Sequence, residues 1–446
     1  MDVIELLGKL IKYDTRTNEN SPGKEVKLLL EEEVEPRLKE NGFKVEYIES
    51  NGHISLFAVK EGESPSIFYS GHVDVVPWDD RWNTNAQEMI TSTENNTEVV
   101  IGRGVSDMKG GIAAMLTALP ELSKSKSKIM FGITGDEEIG GEDGTKVIVE
   151  KLNKESNLPD YVITADAAGM EIITRRRNVF NVYVKSPKKL VQTTGTKIKK
   201  KYTTEIKSAL TSHAAYFDKE VDSHCVKLAC VDVIENNLLP ISLSGKFVKI
   251  NVIPNELDLE YAVYDKQGTI IEYDEGLHSL LLIINKLMEM SFETEAHSDY
   301  GINSTANVIE EFDDYWRLSL DVRVMLSEEA KPLVEEVNRI AKDTKGNFTI
   351  DYLKSIGFIA TPDDSPLVVS TTNLLKSLGY NDKSAERGGA TDGRFFAQYG
   401  VQTIDIGAVG WNVHGPNETA TIKSLRDLVE FFAKSSHVIY ENHNTN

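Results

Sequence analysis

Ser70-Gly71-His72-Val73-Asp74-Val75-Val76-Pro77 is the stretch from which the rest of the chain can be read. Ile67, Phe68 and Tyr69 ahead of it are strand formers, and Pro77 stops the pairing. Residues two apart on a strand share a face, so His72 and Asp74 are predicted side by side at a strand's C-terminal end. Open α/β sheets bind ligands along that edge. A histidine beside a carboxylate has the pattern of a metal ligand and its orienting partner. The plainer alternative is a histidine satisfied at a strand end, and two residues at this spacing do not separate the readings.

Four further stretches bear on the choice. Gly102-Arg103-Gly104-Val105-Ser106-Asp107-Met108-Lys109-Gly110-Gly111 leads into an apolar run from Ile112 to Leu119. It predicts a turn and a helix starting at Ser106 or Asp107, where Asp107 could be a plain N-cap. Its Gly-x-Gly lacks the spacing of a nucleotide-binding turn. Lys128 to Thr134 reads as a buried strand that empties into Gly135-Asp136-Glu137-Glu138-Ile139-Gly140-Gly141. A solvated acidic turn is one reading; the other puts one carboxylate on a metal and its neighbour beside a reactive water. Tyr161 to Ala165 is an apolar strand ending at Asp166, and Val401 to Gly407 is a strand ahead of the loop Trp411-Asn412-Val413-His414-Gly415-Pro416-Asn417-Glu418. Strands alternating with helices imply a mostly parallel sheet, whose strand C-termini share one edge. Asp74, Asp107, Glu137, Glu138 and Asp166 would converge there and repel one another unless cations sit among them.

Elsewhere, helices are expected over Met1–Tyr13, Lys24–Asn41, Glu142–Leu152, Val221–Asn236, Ser279–Met290, Glu328–Asp343, Pro366–Leu378 and Ser424–Tyr440. Thr15–Gly23 reads as a polar loop and Trp78–Val99 as a polar surface excursion. Phe43–Glu49 and Ile54–Lys60 alternate like strands. The character changes around Arg175–Lys185, and from there strands covered by helices suggest an α+β insertion, with Val248–Pro254 paired to Leu257–Tyr264. The expected organisation is a catalytic domain in two parts, 1–177 and 359–446, interrupted by an inserted domain at 178–358. Asn251-Val252-Ile253-Pro254 and Asn307-Val308-Ile309 look like a partial echo.

Composition narrows the class. At 446 residues the chain is long enough for two or three domains, and its 40% hydrophobic content supports a sizeable core. A net charge of −21 argues against nucleic acid or an anionic membrane as partner. Cys225 and Cys230 give neither a disulfide framework nor a zinc knuckle. No apolar run is long enough for a membrane span, and the first helix lacks a signal-peptide core, so a cytoplasmic protein is expected.

Taken in order, these motifs resemble the di-zinc amidohydrolases that include succinyl-diaminopimelate desuccinylase, acetylornithine deacetylase, aminoacylase and carboxypeptidase G. The likeness rests on Gly71-His72-Val73-Asp74-Val75-Val76-Pro77, Gly102-Arg103-Gly104 with Asp107-Met108-Lys109-Gly110, the Glu137-Glu138 pair, Asp166, and His414 ahead of Pro416-Asn417-Glu418. Gly388-Gly389-Ala390-Thr391-Asp392-Gly393-Arg394-Phe395 is similar to a glycine-rich stretch of the desuccinylase branch. The resemblance implies a zinc-peptidase-like catalytic domain with an inserted lid and dimerisation domain. It implies two divalent ions, zinc by default with cobalt or manganese possible. Asp107 would bridge them, His72 and Asp166 would complete one site, and Glu138 and His414 the other. Asp74 would hold His72, and Glu137 would be the general base. His213, in Ser212-His213-Ala214-Ala215-Tyr216, matches a histidine that steadies the oxyanion in a partner subunit. Asn307, Arg323 and Arg394 would hold the substrate.

The reading that follows is a hydrolase of N-acyl amino acids, of the desuccinylase or deacetylase kind, acting as a homodimer. A dipeptidase or carboxypeptidase on small peptides is the alternative within enzymes. A catalytically silent metal-binding scaffold is the alternative outside them.

Overall fold

The computed structural model describes every residue except 18–22, 79, 168, 209–212, 296–300, 328, 355–356 and 446. Most of the polar loop expected over 15–23, Ser212 ahead of His213, and Glu328 therefore lie outside the described residues. The chain forms two compact units. One comprises Met1–Arg176, Phe358–Glu386 and Thr391–Asn446; the other comprises Arg177–Gly357 with Arg387–Ala390.

The first unit is built on the strand Glu63–His72, whose Ile67, Phe68 and Tyr69 are wholly buried. Both faces must therefore be covered. Helix Lys109–Leu122 lies so close that a Cβ on Gly71 would come within 2.6 Å of the terminal methyls of Ile112 and Met108, so a larger residue there would push those side chains aside. Helix Ile422–Thr445 adds Leu425, Leu428, Phe431 and Phe432 to the same core, and Tyr69 hydrogen-bonds Ser435 at 2.7 Å.

Neighbouring strands run Lys44–Ser50, His53–Lys60, Ser127–Thr134, Glu63–His72, Tyr161–Thr164, Gln402–Asp405, Ile172–Arg176 and Ile359–Ala360 across a nine-stranded sheet, whose ninth strand, Ser384–Arg387, also pairs with Ile172–Arg176. Only the middle is parallel: Glu63–His72 pairs that way with Ser127–Thr134 and Tyr161–Thr164, and Tyr161–Thr164 with Gln402–Asp405. The flanking pairs are antiparallel, so the sheet is mixed where a mostly parallel one was expected. The parallel centre still brings His72 level with Thr134, and Thr164 level with Asp405, along one edge.

Two local expectations change. Trp78–Val99 is not simply a polar excursion: Ile90–Glu94 and Thr97–Ile101 form a hairpin, and the hairpin joins Thr419–Thr421 and Gly410–Trp411 in a separate four-stranded sheet. That small sheet holds the loop after Ile101 beside the loop before Thr419. The helix expected over 24–41 is present as Val26–Leu29, Leu30–Val34 and Glu35–Glu40, its middle turn widened to π geometry ahead of Pro36.

The second unit carries two four-stranded antiparallel sheets, with helices Cys225–Glu235, Glu275–Leu287 and Lys331–Thr344 over a shared apolar core. Asp274 organises part of it. One carboxylate oxygen caps helix Glu275–Leu287 at Gly276 N, and the other accepts from the buried Trp316 indole at 2.8 Å. Strand Glu256–Tyr264 pairs with Leu239–Gly245, not with 248–254 as expected; the latter is a turn touched by one bridge, Val252 to His213. The partial echo does not extend to structure, because Asn307 lies on a strand and donates to the carbonyl of Ile250, beside Asn251. Both cysteines are buried and free. Among the described residues no helix is long and apolar enough to cross a membrane.

Candidate functional site

The parallel strands deliver His72, Asp74 and the 136–141 turn to one edge of the first unit. His72 is 1% exposed and Asp74 is fully buried. The His72 Nδ1 lies 3.0 Å from the Asp74 carbonyl and 3.4 Å from its carboxylate, which leaves Nε2 to face the cluster. The Asp74 carboxylate is shared: its two oxygens accept from the Glu137 and Glu138 amides at 3.3 and 3.1 Å. Orienting the histidine and shaping the acidic turn are thus two tasks of one side chain.

Asp107 is at the centre. The helix after it begins at Lys109, and the cap residue Met108 makes no side-chain capping bond, so the plain N-cap reading of Asp107 fails. Its carboxylate instead stands between two imidazoles. His72 Nε2 is 3.2 Å from Oδ1, and His414 Nε2 is 2.9 Å from Oδ2. His414 Nε2 is also 3.1 Å from Glu138 Oε2, whereas Glu137 Oε2 lies 3.9 Å from His72 Nε2. The adjacent glutamates therefore serve different histidines. The solvated-turn alternative fails as well, because Asp136 is 1% exposed and its Oδ2 accepts from the amides of Asp143 and Gly144.

Asp166 joins the same group. His72, Asp107 and Glu138 present donor atoms within 4.8 Å of one another, and so do His72, Glu137 and Asp166. Behind Asp166, Arg176 donates to its carbonyl at 2.7 Å and to the buried Asp405 at 2.6 Å. Crowding of this kind displaces protonation within the cluster. Burial, with the Asp107 charge beside it, pushes Asp166 up to about 8. Burial and the charge of Asp166 also hold Glu137 well above the carboxylate range. Glu138 keeps the His414 imidazole well above its ordinary value; His72 is raised too, its burial outweighed by Asp107 and Asp74. Asp107 goes the other way: burial opposes its charge, but His414 and His72 hold it below the usual range.

This donor set fits divalent metal. Nitrogen and carboxylate oxygen are the ligands zinc takes, and one carboxylate already has a different imidazole on each oxygen. Glu138 Oε1 is buried with no hydrogen-bond partner among the described residues, as an oxygen reserved for a cation would be. Without cations the cluster holds protons in their place. Unfolding returns Asp166 from about 8 to 3.8, so the unfolded chain binds fewer protons between those values. Metal-free stability should therefore be full below the unfolded value and be lost as pH rises through the folded one; His72 and His414, both raised, act in the same direction. We expect the melting temperature of chelator-treated protein to fall by roughly 5 °C or more between about pH 5.5 and pH 8. Zinc should restore more at the higher pH. A flat metal-free profile would show that these carboxylates do not crowd one another.

The remaining predicted residues lie elsewhere. Arg394 is buried in the first unit, donating to the Gly140 carbonyl at 2.7 Å and stacking on Phe395. In the second unit Arg323 makes a two-armed pair with Asp321 and donates to the Gly388 carbonyl. Asn307 is fully buried, bonded to Ile250, Thr305 and His224. His213 caps a short turn through Ala215 N, with its Nε2 3.4 Å from Asn251. Sequence reasoning assigned no role to Arg103, Glu418, Arg176 or Asp405. The first two stand inside the Gly102–Gly111 and Trp411–Glu418 motifs, but nothing in the sequence couples a residue near 103 to one near 418.

Comparison with known proteins gives this geometry its context. The chain matches peptidase family M20/M25/M40 over residues 68–436. It is 26% identical to a succinyl-diaminopimelate desuccinylase of Nautilia profundicola, over 97% of this chain and 98% of that protein. Its fold is similar to that of an aminoacylhistidine dipeptidase from Vibrio alginolyticus, with a TM-score of 0.70 at 13% identity over 98% and 96% of the two chains. It is also similar to that of a dinuclear metal binding M20 peptidase from Bacillus subtilis, with a TM-score of 0.53 at 12% identity over 99% and 98%. A family match of that extent decides membership: the chain belongs to peptidase family M20/M25/M40 and is a hydrolase of amide bonds.

Proposed function

We propose that the protein hydrolyses the amide bond of an N-acyl amino acid, with an N-succinyl group as the first candidate. One observation carries the chemistry: the Asp107 carboxylate lies between His72 and His414, one imidazole on each oxygen, with both glutamates of the 137–138 turn beside them. The succinyl assignment draws on the desuccinylase relative, matched over nearly its whole length.

Asp107 would be shared by two ions, zinc by default, with His72 and Asp166 on one side and Glu138 and His414 on the other. Bound there, the pair supplies Lewis-acid polarisation of the scissile carbonyl and a more acidic water. The chain does the rest. Glu138 is spoken for by His414, and Glu137 is left to move the proton. It takes one from the attacking water as the C–O bond forms and gives it to the nitrogen as the C–N bond breaks, so the leaving amine departs neutral. Asp74 fixes where Glu137 stands, because it holds that residue's amide.

The second unit would act as lid and dimerisation domain, with His213 steadying the oxyanion of a second copy. Asn307, Arg323 and Arg394 are proposed for the substrate. Each already has protein partners, so contact with substrate requires one of those bonds to be exchanged.

The test is amine release from N-succinyl, N-acetyl and dipeptide substrates by zinc-loaded protein. Turnover of the N-succinyl class above the others is the expected result. Turnover confined to dipeptides would replace the deacylase reading with the peptidase one. No turnover by protein carrying two ions per chain would reject all three substrate classes.

A further inference from the structure

Glu418 is a carboxylate with no exposure at all, and four donors converge on it. Oε1 accepts from the amides of Ser106 and Asp107 at 2.8 and 2.9 Å. Oε2 accepts from the Gly104 amide at 3.1 Å and from Arg103 Nη1 at 2.7 Å. The backbone ahead of helix Lys109–Leu122 is folded so that its amides point inward, helped by the left-handed φ of +90° at Gly104. Such amides ordinarily need an anion or water. Here the anion is a side chain from the far end of the chain.

Arg103 makes the same junction a second time. Its other arm, Nη2, donates to the Gly415 carbonyl at 3.1 Å, one residue past His414. The backbones are joined as well: Gly102 N donates to the Glu418 carbonyl, and Thr419 is level with Ile101 in the small sheet. The loop that carries Asp107 and the loop that carries His414 therefore share one buried ion pair. Stability alone does not call for charge here, since an apolar replacement of a buried pair is often as stable. Such a replacement would, however, leave three amides unpaired and cut the tie to Gly415.

We propose that Glu418, clamped by Arg103, is a positioning residue that sets the spacing of Asp107 and His414 and so the affinity of the metal position those two share. This rests on the two-ion reading of the site. Glu418→Gln offers one acceptor oxygen where two are used, and turns an amide N–H toward donors. Arg103→Lys keeps the charge but cannot reach both Glu418 and Gly415. Each variant is expected to weaken one ion by about 10–100-fold while leaving the other near its wild-type affinity.

Zinc-loaded wild-type and variant enzymes are dialysed against graded chelator, and zinc per chain is counted, with circular dichroism to confirm folding. At the highest chelator concentration where wild type keeps two ions, both variants should keep one. Two ions retained by both variants overturns the proposal. So does the loss of both ions together, which would mean that the pair supports the whole loop region and not one position. If Glu418→Gln does not fold, Arg103→Lys decides alone. A wild type that never holds two ions fails the reading of the site itself, and the proposal with it.

Discussion

Glu137→Ala is expected to lower kcat by about 10³-fold while the protein keeps its full metal content. The reasoning begins with the backbone. Glu137 is held in its short turn by its amide, which donates to Asp74, and the Glu138 amide donates to the same carboxylate. Neither bond involves the side chain removed. Glu138 therefore keeps its 3.1 Å approach to His414, and Asp107 keeps both imidazoles. What is lost is a carboxylate beside His72 able to accept a proton and pass it on. Glu137→Gln should fall as far, since it keeps the shape and removes the base. KM should move little in either variant. Steady-state kinetics on the preferred substrate, read alongside zinc per chain, provides the check. Activity within tenfold of wild type would remove Glu137 from the proton-transfer role.

Asp107→Ala should be at least as damaging, for a different reason. Among the described residues its carboxylate is the one within hydrogen-bonding distance of both His72 and His414, and those histidines stand on elements far apart in sequence. Without it each half of the cluster loses its shared anion, and we expect both ions to leave. Asp107→Asn is the sharper variant, because a carboxamide has one acceptor oxygen and can serve only one side. It should bind at most one ion per chain and turn over no faster than Glu137→Ala. Metal analysis distinguishes the two cases: Glu137→Ala is inactive with both ions, Asp107→Asn inactive for want of at least one. Two ions per chain in Asp107→Asn would refute a bridging role.

The convergence of these residues could be read from the sequence because it depends on one rule about parallel strands. Apolar runs ending in His72, Thr134 and Thr164 imply a common edge, and the structure places them on one. The flanks were less legible, since antiparallel pairing leaves the same apolar runs. The hairpin at 90–101 was hidden because Ile90-Thr-Ser-Thr-Glu94 presents little apolar alternation, and its further pairing with Thr419–Thr421 is supplied only by tertiary structure. Strand Leu239–Gly245 was obscured by Pro240, which shifts the register beside it. The ion pairs were the least legible. Arg103 and Glu418 are 315 positions apart, and Arg176 and Asp405 are 229 apart, so no local pattern marks them as partners.

The pairing of the two ends of the chain also has a consequence for synthesis. The Asp107 amide meets its acceptor on Glu418 only after a further 311 residues have been made. At ordinary elongation rates that interval is on the order of 15–60 s. Until then the ribosome carries a chain with His72, Asp107 and Glu137 but without His414 or the group that braces its loop. A polypeptide abandoned part-way thus lacks one histidine of the cluster and the clamp behind Asp107. Hydrolytic competence would be acquired only once the loop that carries His414 has been made and braced.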